Sequence, residues 1–293
     1  MKTSTESSII TIRAIIDAPV EKVWKLWTDP RHIIHWNYAS DDWQTTRAEN
    51  DLRVGGKFLS RMEAKDGSTG FDFNGEYLKI ENHKKIEYKL ADDRKVQVSF
   101  ESKANKTTVT SVFEAEQMNP VELQKEGWQA ILDNFKKYVK TSDKFEIMHF
   151  EININAPVEK VYKVMLDEKT YREWTAAFNP TSHYTGSWKK GSKIHFLGTD
   201  LDGKMEGMFS KIKENIPNKF ISIEHLGVIQ DGKEITSGSG FGDWAGALEN
   251  YSFTEVKAKT LLSVDLDVTH QFKSYFINSW PDALKLLKKI CEK

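Results

Sequence analysis

Apolar and polar residues alternate along much of the chain, which is the pattern of strands that bury one face of a sheet. The first alternating segment extends from Ile9 to Ile16. Directly after it, Val20, Val23 and Trp27 recur at intervals of three and four residues, which predicts a helix with one buried side. Proline precedes or begins this helix and the next short one, where it is favoured because the first N–H groups of a helix have no acceptor within it.

Five further alternating segments lie between residues 58 and 113, and their opposite parity consists mostly of charged residues and threonine. Apolar residues then return at helical spacing from Trp128 to Val139, which predicts a long amphipathic helix. This order predicts an antiparallel sheet with one buried face that the terminal helix covers. The space between a curved sheet and one helix is a natural place for a ligand.

The same order of elements is predicted twice, because a motif of the first half recurs in the second. Asp17–Trp24, with the sequence Asp-Ala-Pro-Val-Glu-Lys-Val-Trp, returns as Asn155–Tyr162 after 138 residues (155 − 17). Trp36 and Trp174 have the same separation. A period this long indicates a duplicated domain rather than a solenoid, whose units have about 20–50 residues.

The length of 293 residues also favours two domains. The short polar segment Lys140–Lys144 separates the two patterns, so we predict domain 1 at residues 1–141 and domain 2 at residues 142–293. Each domain is predicted to be α+β. A curved antiparallel sheet of about seven strands surrounds a long C-terminal helix, and two short helices follow the first strand.

Two features of the second half differ from the first. Ile229–Asp243 has no counterpart, and because loops of this length are usually functional or disordered, a lid and a mobile loop are both open interpretations. Its glycine-rich part, Gly238–Gly242, lacks the spacing of a phosphate-binding loop. Pro281 lies inside the last helical pattern, where a proline is expected to kink or restart the helix.

Composition and charge argue against several classes of function. The net charge is −1, and basic and acidic residues are nearly balanced in both halves, which disfavours non-specific nucleic-acid binding. No apolar stretch approaches the roughly 18 residues of a membrane-spanning helix, and the first residues lack an apolar signal core. The single cysteine excludes an intrachain disulfide and suits a reducing compartment. We therefore predict a cytoplasmic protein without a membrane span.

The sequence offers few groupings of metal-ligating or nucleophilic residues. His32 and His35 lie three residues apart on a predicted helix, but no third ligand is evident, and an exposed helix surface is the favoured interpretation. Asp200–Gly203 is too short for a calcium loop and predicts a hairpin turn. Cys291 lies on the apolar face of the last helix, which favours packing over nucleophilic catalysis. We predict no metal site and no cofactor.

Aromatic residues concentrate on the predicted inner faces, where they belong either to an ordinary core or to the lining of a ligand cavity. A fold of one sheet and one helix needs bulk at these positions, so the sequence leaves both interpretations open. In domain 1 the candidate ligand-binding residues are Trp36, Trp43, Phe71, Phe73, Tyr77, Tyr88 and Trp128. In domain 2 they are Trp174, His195, Met205, Phe209, Trp244, Glu249, Tyr251, Phe276 and Trp280.

Glu224 and His225 are the candidate catalytic residues, because a histidine and a carboxylate that face an apolar cavity can act as an acid–base pair. Ile221, Ile223 and His225 share one strand parity, and Glu224 has the other. The alternation does not decide which parity faces inward, and a solvated position is the favoured interpretation for these side chains.

Several segments resemble a known superfamily. Beside the repeated motif, they are Val54–Phe58 and Gln124–Trp128 in the first half and Ile223–Gly227 and Trp244–Phe253 in the second. They resemble the SRPBCC (START-like) superfamily and, more narrowly, its branch named for the C-terminal domain of the activator of heat-shock-protein ATPase. The resemblance implies the helix-grip fold, in which a seven-stranded antiparallel sheet holds the C-terminal helix around an apolar cavity.

The resemblance and the aromatic faces favour a protein that binds a small hydrophobic or aromatic ligand without a cofactor. The family implies a second hypothesis, a co-chaperone or stress-response partner of a heat-shock ATPase that binds through its outer surface. A third is a cyclase- or hydrolase-type enzyme that uses the second-domain cavity with Glu224 or His225. Because no complete catalytic grouping is evident, binding without catalysis is favoured, and the oligomeric state stays open. The divergent second copy is where we would first expect activity.

Overall fold

The computed structural model describes residues 8–236 and 244–293, and the chain divides into two compact units, Met1–Asp143 and Lys144–Lys293. Each unit is α+β, with a curved antiparallel sheet and a long C-terminal helix, so the predicted helix-grip architecture is confirmed. The glycine-rich segment Gly238–Gly242 lies outside the described residues. Among the described helices, none is both long and apolar enough to cross a membrane.

In the first unit, one strand and two short helices precede six strands and a long helix. The elements are β1 (Ile9–Ile16), α1 (Val20–Thr28), α2 (Pro30–Ile33), β2 (Trp43–Asn50), β3 (Lys57–Ala64), β4 (Gly70–Glu81), β5 (Lys85–Leu90), β6 (Lys95–Lys103), β7 (Lys106–Glu114) and α3 (Val121–Thr141). The strands form one antiparallel sheet in the order β1-β7-β6-β5-β4-β3-β2. The alternation of apolar and polar residues does not predict strand β2, because its buried residues include the polar Gln44, Thr45 and Thr46.

The second unit repeats this order with one additional strand. The elements are β8 (Glu146–Ile154), α4 (Val158–Leu166), α5 (Glu168–Thr175), β9 (His183–Gly186), β10 (Lys193–Thr199), β11 (Met205–Ile216), β12 (Phe220–Gln230), β13 (Lys233–Ile235), β14 (Leu248–Val256), β15 (Lys259–Val268) and α6 (Lys273–Cys291). The order is β8-β15-β14-β12-β11-β10-β9, with β13 paired to β12. The eighth strand arises because the first part of the insertion turns back on β12.

The repeated motif begins a helix in both units and anchors it to the sheet. Pro19 and Pro157 lie directly before the first residues of α1 and α4, with extended ψ angles. Val23 and Val161, one turn later, are fully buried. The motif therefore acts as a helix start with a packing anchor.

A tryptophan fixes the two-helix segment of each unit. The indole Nε1–H of Trp36 donates to the carbonyl oxygen of Leu26 at 3.1 Å, and that of Trp174 donates to the carbonyl oxygen of Met165 at 3.1 Å. Both rings are buried. The constant separation of these tryptophans thus marks a structural anchor that the duplication preserved.

The strand registers assign equivalent positions in the two sheets. Strands β1 and β8 are related by the repeat of 138 residues, so Ile12 corresponds to Phe150. Ile12 pairs with Ser111 on β7, and Phe150 pairs with Val264 on β15. Ser111 and Val264 are therefore equivalent, and the same step leads from strand to strand across both sheets.

Of the two expected effects of Pro281, a restart of the last helix does not occur. Helix α6 runs without interruption from Lys273 to Cys291, with Pro281 inside it. A proline removes the N–H that would bond to the carbonyl four residues earlier, here that of Ile277. Because Ile277 is 47% exposed, this carbonyl lies on the solvent side of the helix, where water can replace the missing donor.

An acidic residue is buried on the outer face of the second sheet. Asp267 on β15 is 3% exposed, and its Oδ2 accepts the backbone N–H of Leu248 at 2.8 Å. Burial raises the pKa of this carboxyl from 3.8 to about 7, against the opposing effect of the Lys213 charge. As the pH rises, the unfolded chain releases this proton first and the folded chain releases it near pH 7. Asp267 therefore destabilises the folded state progressively between these two pH values.

We expect Asp267→Asn to remove this pH dependence, because asparagine keeps an acceptor for Leu248 and carries no charge. Relative to the wild type, the variant should gain stability as the pH rises from about 4 to about 7, by up to roughly 4 kcal/mol. Calorimetric unfolding of the full chain at several pH values measures this difference. Asp282→Asn, at an exposed carboxylate of α6, is the control. The same pH slope in Asp267→Asn and the wild type would contradict the assignment.

Candidate ligand cavity

A large cavity lies in the first unit between the inner face of the sheet and α3. Its volume is about 1290 Å³. The wall includes Ile12 on β1 and Ser111 on β7, residues of β3, β4 and β5, and the inward side of α3 from Gly127 to Leu132. The volume exceeds the roughly 300–1,000 Å³ of common ligand pockets, so the space accommodates a molecule of several rings.

All seven aromatic residues that the sequence proposes for the first domain line this cavity. They are Trp36, Trp43, Phe71, Phe73, Tyr77, Tyr88 and Trp128. Trp36, Tyr77 and Tyr88 are also buried members of the core, so the two interpretations left open by the sequence are compatible here. Phe71 is 48% exposed beside Trp43, at 5.8 Å between ring centroids, and lies where the cavity meets solvent.

Two tyrosines place hydroxyl groups on the cavity wall. The Tyr77 hydroxyl donates to Oδ1 of Asn50 at 2.8 Å, and the Asn50 amide donates to the carbonyl oxygen of Thr28 at 2.5 Å. Burial raises the pKa of Tyr77 and Tyr88 well above the ordinary value of 10. Both phenols therefore stay protonated and neutral, and they offer hydrogen bonds rather than charge.

The charged residues of the lining lie at turns and at the edge of the sheet. Asp92 and Arg94 belong to the turn between β5 and β6 and pair at 2.8 Å. Glu116 lies between β7 and α3 and accepts from the Asn119 side-chain amide at 2.7 Å. Glu49 on the edge strand β2 has a side chain that is 63% exposed. The wall between these positions is mainly apolar, with hydroxyl groups and the side-chain amides of Asn37 and Gln124, and this uncharged surface suits a neutral ligand.

The prediction of an exposed histidine pair on α2 is wrong for His32. This residue is 7% exposed, and its Nδ1 lies 2.7 Å from the hydroxyl oxygen of Tyr138 on α3. Burial lowers the pKa of His32 to about 4, so its ring is neutral at physiological pH. The ring of His35 stacks on Tyr138 at 5.3 Å. His32 connects α2 to α3, and His35 connects the residues directly after α2 to the same helix. No metal-binding group of three or more ligating side chains occurs among the described residues.

In the second unit, larger side chains occupy three positions that correspond to small or aliphatic residues on the inner face of the first sheet, of which Ile12 and Ser60 line the cavity. The strand registers give these equivalent pairs: Ile12 and Phe150, Val98 and Tyr251, and Ser60 and Phe196. The rings of Phe150 and Tyr251 lie next to Trp280 of the final helix, and the ring of Phe196 packs against Tyr171 and Trp188. The second unit thereby gains bulk where the first unit has open space.

The tryptophan of the final helix also has different contacts in the two units. Trp128 and Trp280 are each the eighth residue of their helices, α3 and α6. Trp128 stacks on Phe113 with ring centroids 4.0 Å apart and borders the cavity. Trp280 is 2% exposed. The rings around it are those of Phe150, Trp174, Phe178 and Tyr251. Rings therefore fill, in the second unit, the region that is open in the first.

The inner face of the second sheet also carries a buried polar cluster. Nδ1 of His225 lies 2.9 Å from Oγ of Ser210, and its Nε2 lies 3.6 Å from Oε2 of Glu249. The Tyr251 hydroxyl donates to the other carboxylate oxygen of Glu249. Ser210 is fully buried and His225 is 3% exposed, so neither presents an open face to a substrate. Cys291 is also fully buried, and burial raises the pKa of its thiol to about 11.

Glu224 and His225 do not form the acid–base pair that the sequence allows. They are adjacent on β12 and therefore point to opposite faces of the sheet. His225 shares the buried inner face with Ile221 and Ile223, so the favoured solvated position is wrong for this residue. Glu224 lies on the outer face, opposite Lys211 of β11.

The other candidates of the second domain are dispersed. His195 and Phe209 face each other on the outer side of β10 and β11, where Nε2 of His195 lies 2.9 Å from Oε1 of Glu234. Met205, at the start of β11, is 39% exposed. The rings of Trp244 and Phe276 pack at 6.0 Å, next to α6. Because these residues occupy different faces and ends of the sheet, they do not form one site.

The cavity wall also contains residues that the sequence reasoning missed. They are Ile12, Trp27, Phe58, Ser60 and Ser111, among others. The two serines occupy inward positions of alternating strands, where an apolar residue is expected. The signal that could have identified the two serines is a small polar residue at a strand position where an apolar residue is expected.

The sequence matches the family of Activator of Hsp90 ATPase homolog 1-like proteins twice, over residues 17–140 and 155–292. The chain therefore belongs to this family. The resemblance to tandem SRPBCC (START-like) domains is confirmed by the two matched segments and by di-domain structures of the same fold. A search of curated proteins finds no match.

Solved structures resemble either about half of the chain or nearly all of it. An AHSA1-like protein from Aeromonas hydrophila is 44% identical over 46% of this chain and 94% of its own, with a TM-score of 0.44. A protein from Cytophaga hutchinsonii is 44% identical over 45% and 92%, with a TM-score of 0.41. The di-domain ARO/CYC protein StfQ from the steffimycin biosynthetic pathway is 12% identical over 97% and 98%, with a TM-score of 0.61. At that identity, the likeness to StfQ shows the fold alone.

We expect Trp280→Ala to destabilise the protein more than Trp128→Ala. Truncation of the enclosed Trp280 leaves a void among packed rings, which costs about 3–5 kcal/mol. Trp128 already borders open space, so its loss removes contacts mainly on one side, and we expect about 1–2 kcal/mol. Urea unfolding of the full-length variants, followed by circular dichroism, compares the two losses. Equal losses would contradict the difference in packing between the units.

Proposed function

We propose that the protein binds a small, largely apolar ligand with aromatic character in the cavity of its first unit. The observation that carries this proposal is the aromatic wall of a space of about 1290 Å³. Transfer of apolar surface from water into such a space is favourable by roughly 25 cal/mol per Å². A ligand of two or three rings thus gains several kcal/mol from burial alone.

The packing behind the wall supports a preformed site. The ring of Trp27 meets Phe135 edge-on at 4.9 Å, and the ring of Phe58 meets Tyr88 at 4.9 Å. Rings held in this way lose little additional freedom when a ligand binds, which preserves affinity. They also present fixed aromatic faces, against which a flat ligand can stack or pack edge-on.

The two units differ in what they offer a ligand. The second unit uses Trp280, Phe150 and Tyr251 to fill the corresponding region, which favours a structural role for its interior. We therefore place ligand binding in the first unit, and the earlier expectation of activity in the second unit loses its support.

The enzyme hypothesis has weaker support than ligand binding. Its strongest residues are now Ser210, His225 and Glu249, because Glu224 points to the outer face. The Ser210 hydroxyl is fully buried, and attack on a substrate requires a reachable nucleophile within about 3–3.5 Å of the reacting atom. The cluster is better explained as a set of satisfied core polar groups.

The family description names a second candidate function, activation of an Hsp90 ATPase. Such a role would use the outer surface and would not need the cavity. A substitution that fills the cavity and leaves the outer surface unchanged therefore separates the two functions.

We expect Ser60→Phe to weaken ligand binding strongly without loss of the fold, because phenylalanine occupies the equivalent position, Phe196, in the second unit. Fluorescence titration with the neutral apolar probe N-phenylnaphthylamine should give saturable binding to the wild type and binding that is at least about tenfold weaker to the variant. Ser111→Leu, which narrows the cavity from another strand, should also weaken binding.

The matched control is Ser102→Phe, the same substitution at an exposed position of β6, which should bind like the wild type. Circular dichroism shows whether each variant keeps its fold. Absence of binding to the wild type, or equal binding to a folded Ser60→Phe variant, would refute the proposed function. A change in Hsp90 ATPase turnover that persists in Ser60→Phe would assign that activity to the outer surface.

A further inference from the structure

Three hydroxyl groups on the cavity wall have no hydrogen-bond partner within the described part of the chain. They belong to Ser60, Ser111 and Tyr88, which are 4%, 2% and 8% exposed. None of the three oxygen atoms belongs to the described side-chain atoms that are both fully buried and without a hydrogen-bond partner. Each hydroxyl is therefore open to the cavity and available to whatever occupies it.

The three groups are distributed over the wall. Ser60 lies on β3, Ser111 on β7 and Tyr88 on β5. Their inward orientation follows from their cross-strand partners, because Ser60 pairs with Phe73 and Ser111 with Ile12, and both partners also line the cavity. A ligand that spans the cavity thus meets hydroxyl groups at separate places.

The second unit lacks these hydroxyl groups. The strand registers place Phe196, Val264 and Ile223 at the positions equivalent to Ser60, Ser111 and Tyr88. The unpaired hydroxyl groups therefore occur in the unit that has the large cavity and are absent from the equivalent positions of the packed one. Structural demands shared by both units do not explain them.

A hydrocarbon ligand is poorly matched to this wall. It would displace water from the three hydroxyl groups and leave them without partners, and an unmade hydrogen bond of a buried group is costly. Oxygen atoms on the ligand restore these bonds. The wall therefore favours the binding of an otherwise apolar molecule that carries hydroxyl or carbonyl groups on its periphery.

An anionic ligand, such as a fatty acid, is also poorly matched. The charged groups of the lining are three carboxylates, of Glu49, Asp92 and Glu116, and one guanidinium, of Arg94, which Asp92 pairs at 2.8 Å. Among the described residues of the lining, there is no unpaired cation to compensate a ligand carboxylate. Transfer of an ionised carboxylate from water into the apolar interior is strongly unfavourable.

We propose that the cavity selects neutral aromatic ligands that carry hydroxyl or carbonyl oxygens, and that Ser60, Ser111 and Tyr88 recognise those oxygens. This inference depends on the ligand-binding function proposed above and adds the chemical class of the ligand. The aromatic wall supplies burial and stacking, and the three hydroxyl groups supply selectivity for oxygen over hydrogen at the ligand periphery.

The test compares three ten-carbon probes by calorimetric titration of the full-length protein. They are naphthalene, its dihydroxy derivative with one hydroxyl on each ring, and decanoic acid. The measured quantity is the selectivity, the ratio of the dissociation constant of naphthalene to that of the dihydroxy derivative. It is compared between the wild type and Ser60→Ala, Ser111→Ala and Tyr88→Phe, each of which removes one hydroxyl. Ser102→Ala, at an exposed serine, is the matched control.

We expect at least one of the three variants to lower the selectivity by about three- to tenfold, while the affinity for naphthalene stays the same or rises. Decanoic acid should bind the wild type more weakly than the dihydroxy derivative. Unchanged selectivity in all three variants, or tighter binding of decanoic acid, would overturn this inference and leave the proposed function intact. Absence of binding of all three probes would overturn both.

Discussion

The concave face of each sheet is wider than one helix can cover, and this mismatch governs both units. Seven strands at about 4.8 Å spacing extend roughly 30 Å, whereas a helix with its side chains is about 10–12 Å across. Helices α3 and α6 contact the sheet along their buried sides, and the short helices α1, α2, α4 and α5 cover part of the remainder. The rest of the concave face must be filled by side chains or left open. The difference between the two units follows from whether side chains fill this remaining area or leave it open.

The two units differ in how they fill the concave face, although their helices and strands follow the same order. In the first, the small or aliphatic residues Ile12 and Ser60 leave the cavity wall recessed, and the ring of Trp128 lies flat against Phe113. In the second, the rings of Phe150 and Tyr251 pack against Trp280, and Phe196, the equivalent of Ser60, packs against Tyr171 and Trp188. The second unit is thus a natural control for the first, since it shows what this fold looks like when its interior is packed.

Alternation, helix periodicity and the repeated motif are local signals, and together they predicted two copies of a curved antiparallel sheet with a long terminal helix. The family resemblance implied that this arrangement is the helix-grip fold. It could not decide the orientation of His225 and Glu224, since alternation defines two faces without identifying the inner one. It misplaced His32, whose burial depends on Tyr138, 106 residues away. The seven aromatic residues of the first cavity were found because bulk on an inner face is visible in sequence. Ser60 and Ser111 were missed because the sequence does not show where space is left unfilled. Their position on the cavity wall becomes evident only when the equivalent positions of the two units are compared.

The most direct test of this account is a crystal structure of the full-length protein soaked with bromonaphthol, a neutral aromatic ligand with one hydroxyl group, because the anomalous signal of bromine locates the ligand without ambiguity. The account predicts a bromine peak in the first unit, within van der Waals distance of Trp128 and Phe73, and no corresponding peak beside Trp280. A peak beside Trp280, or an interior of the first unit that is filled by rearranged side chains, would contradict it.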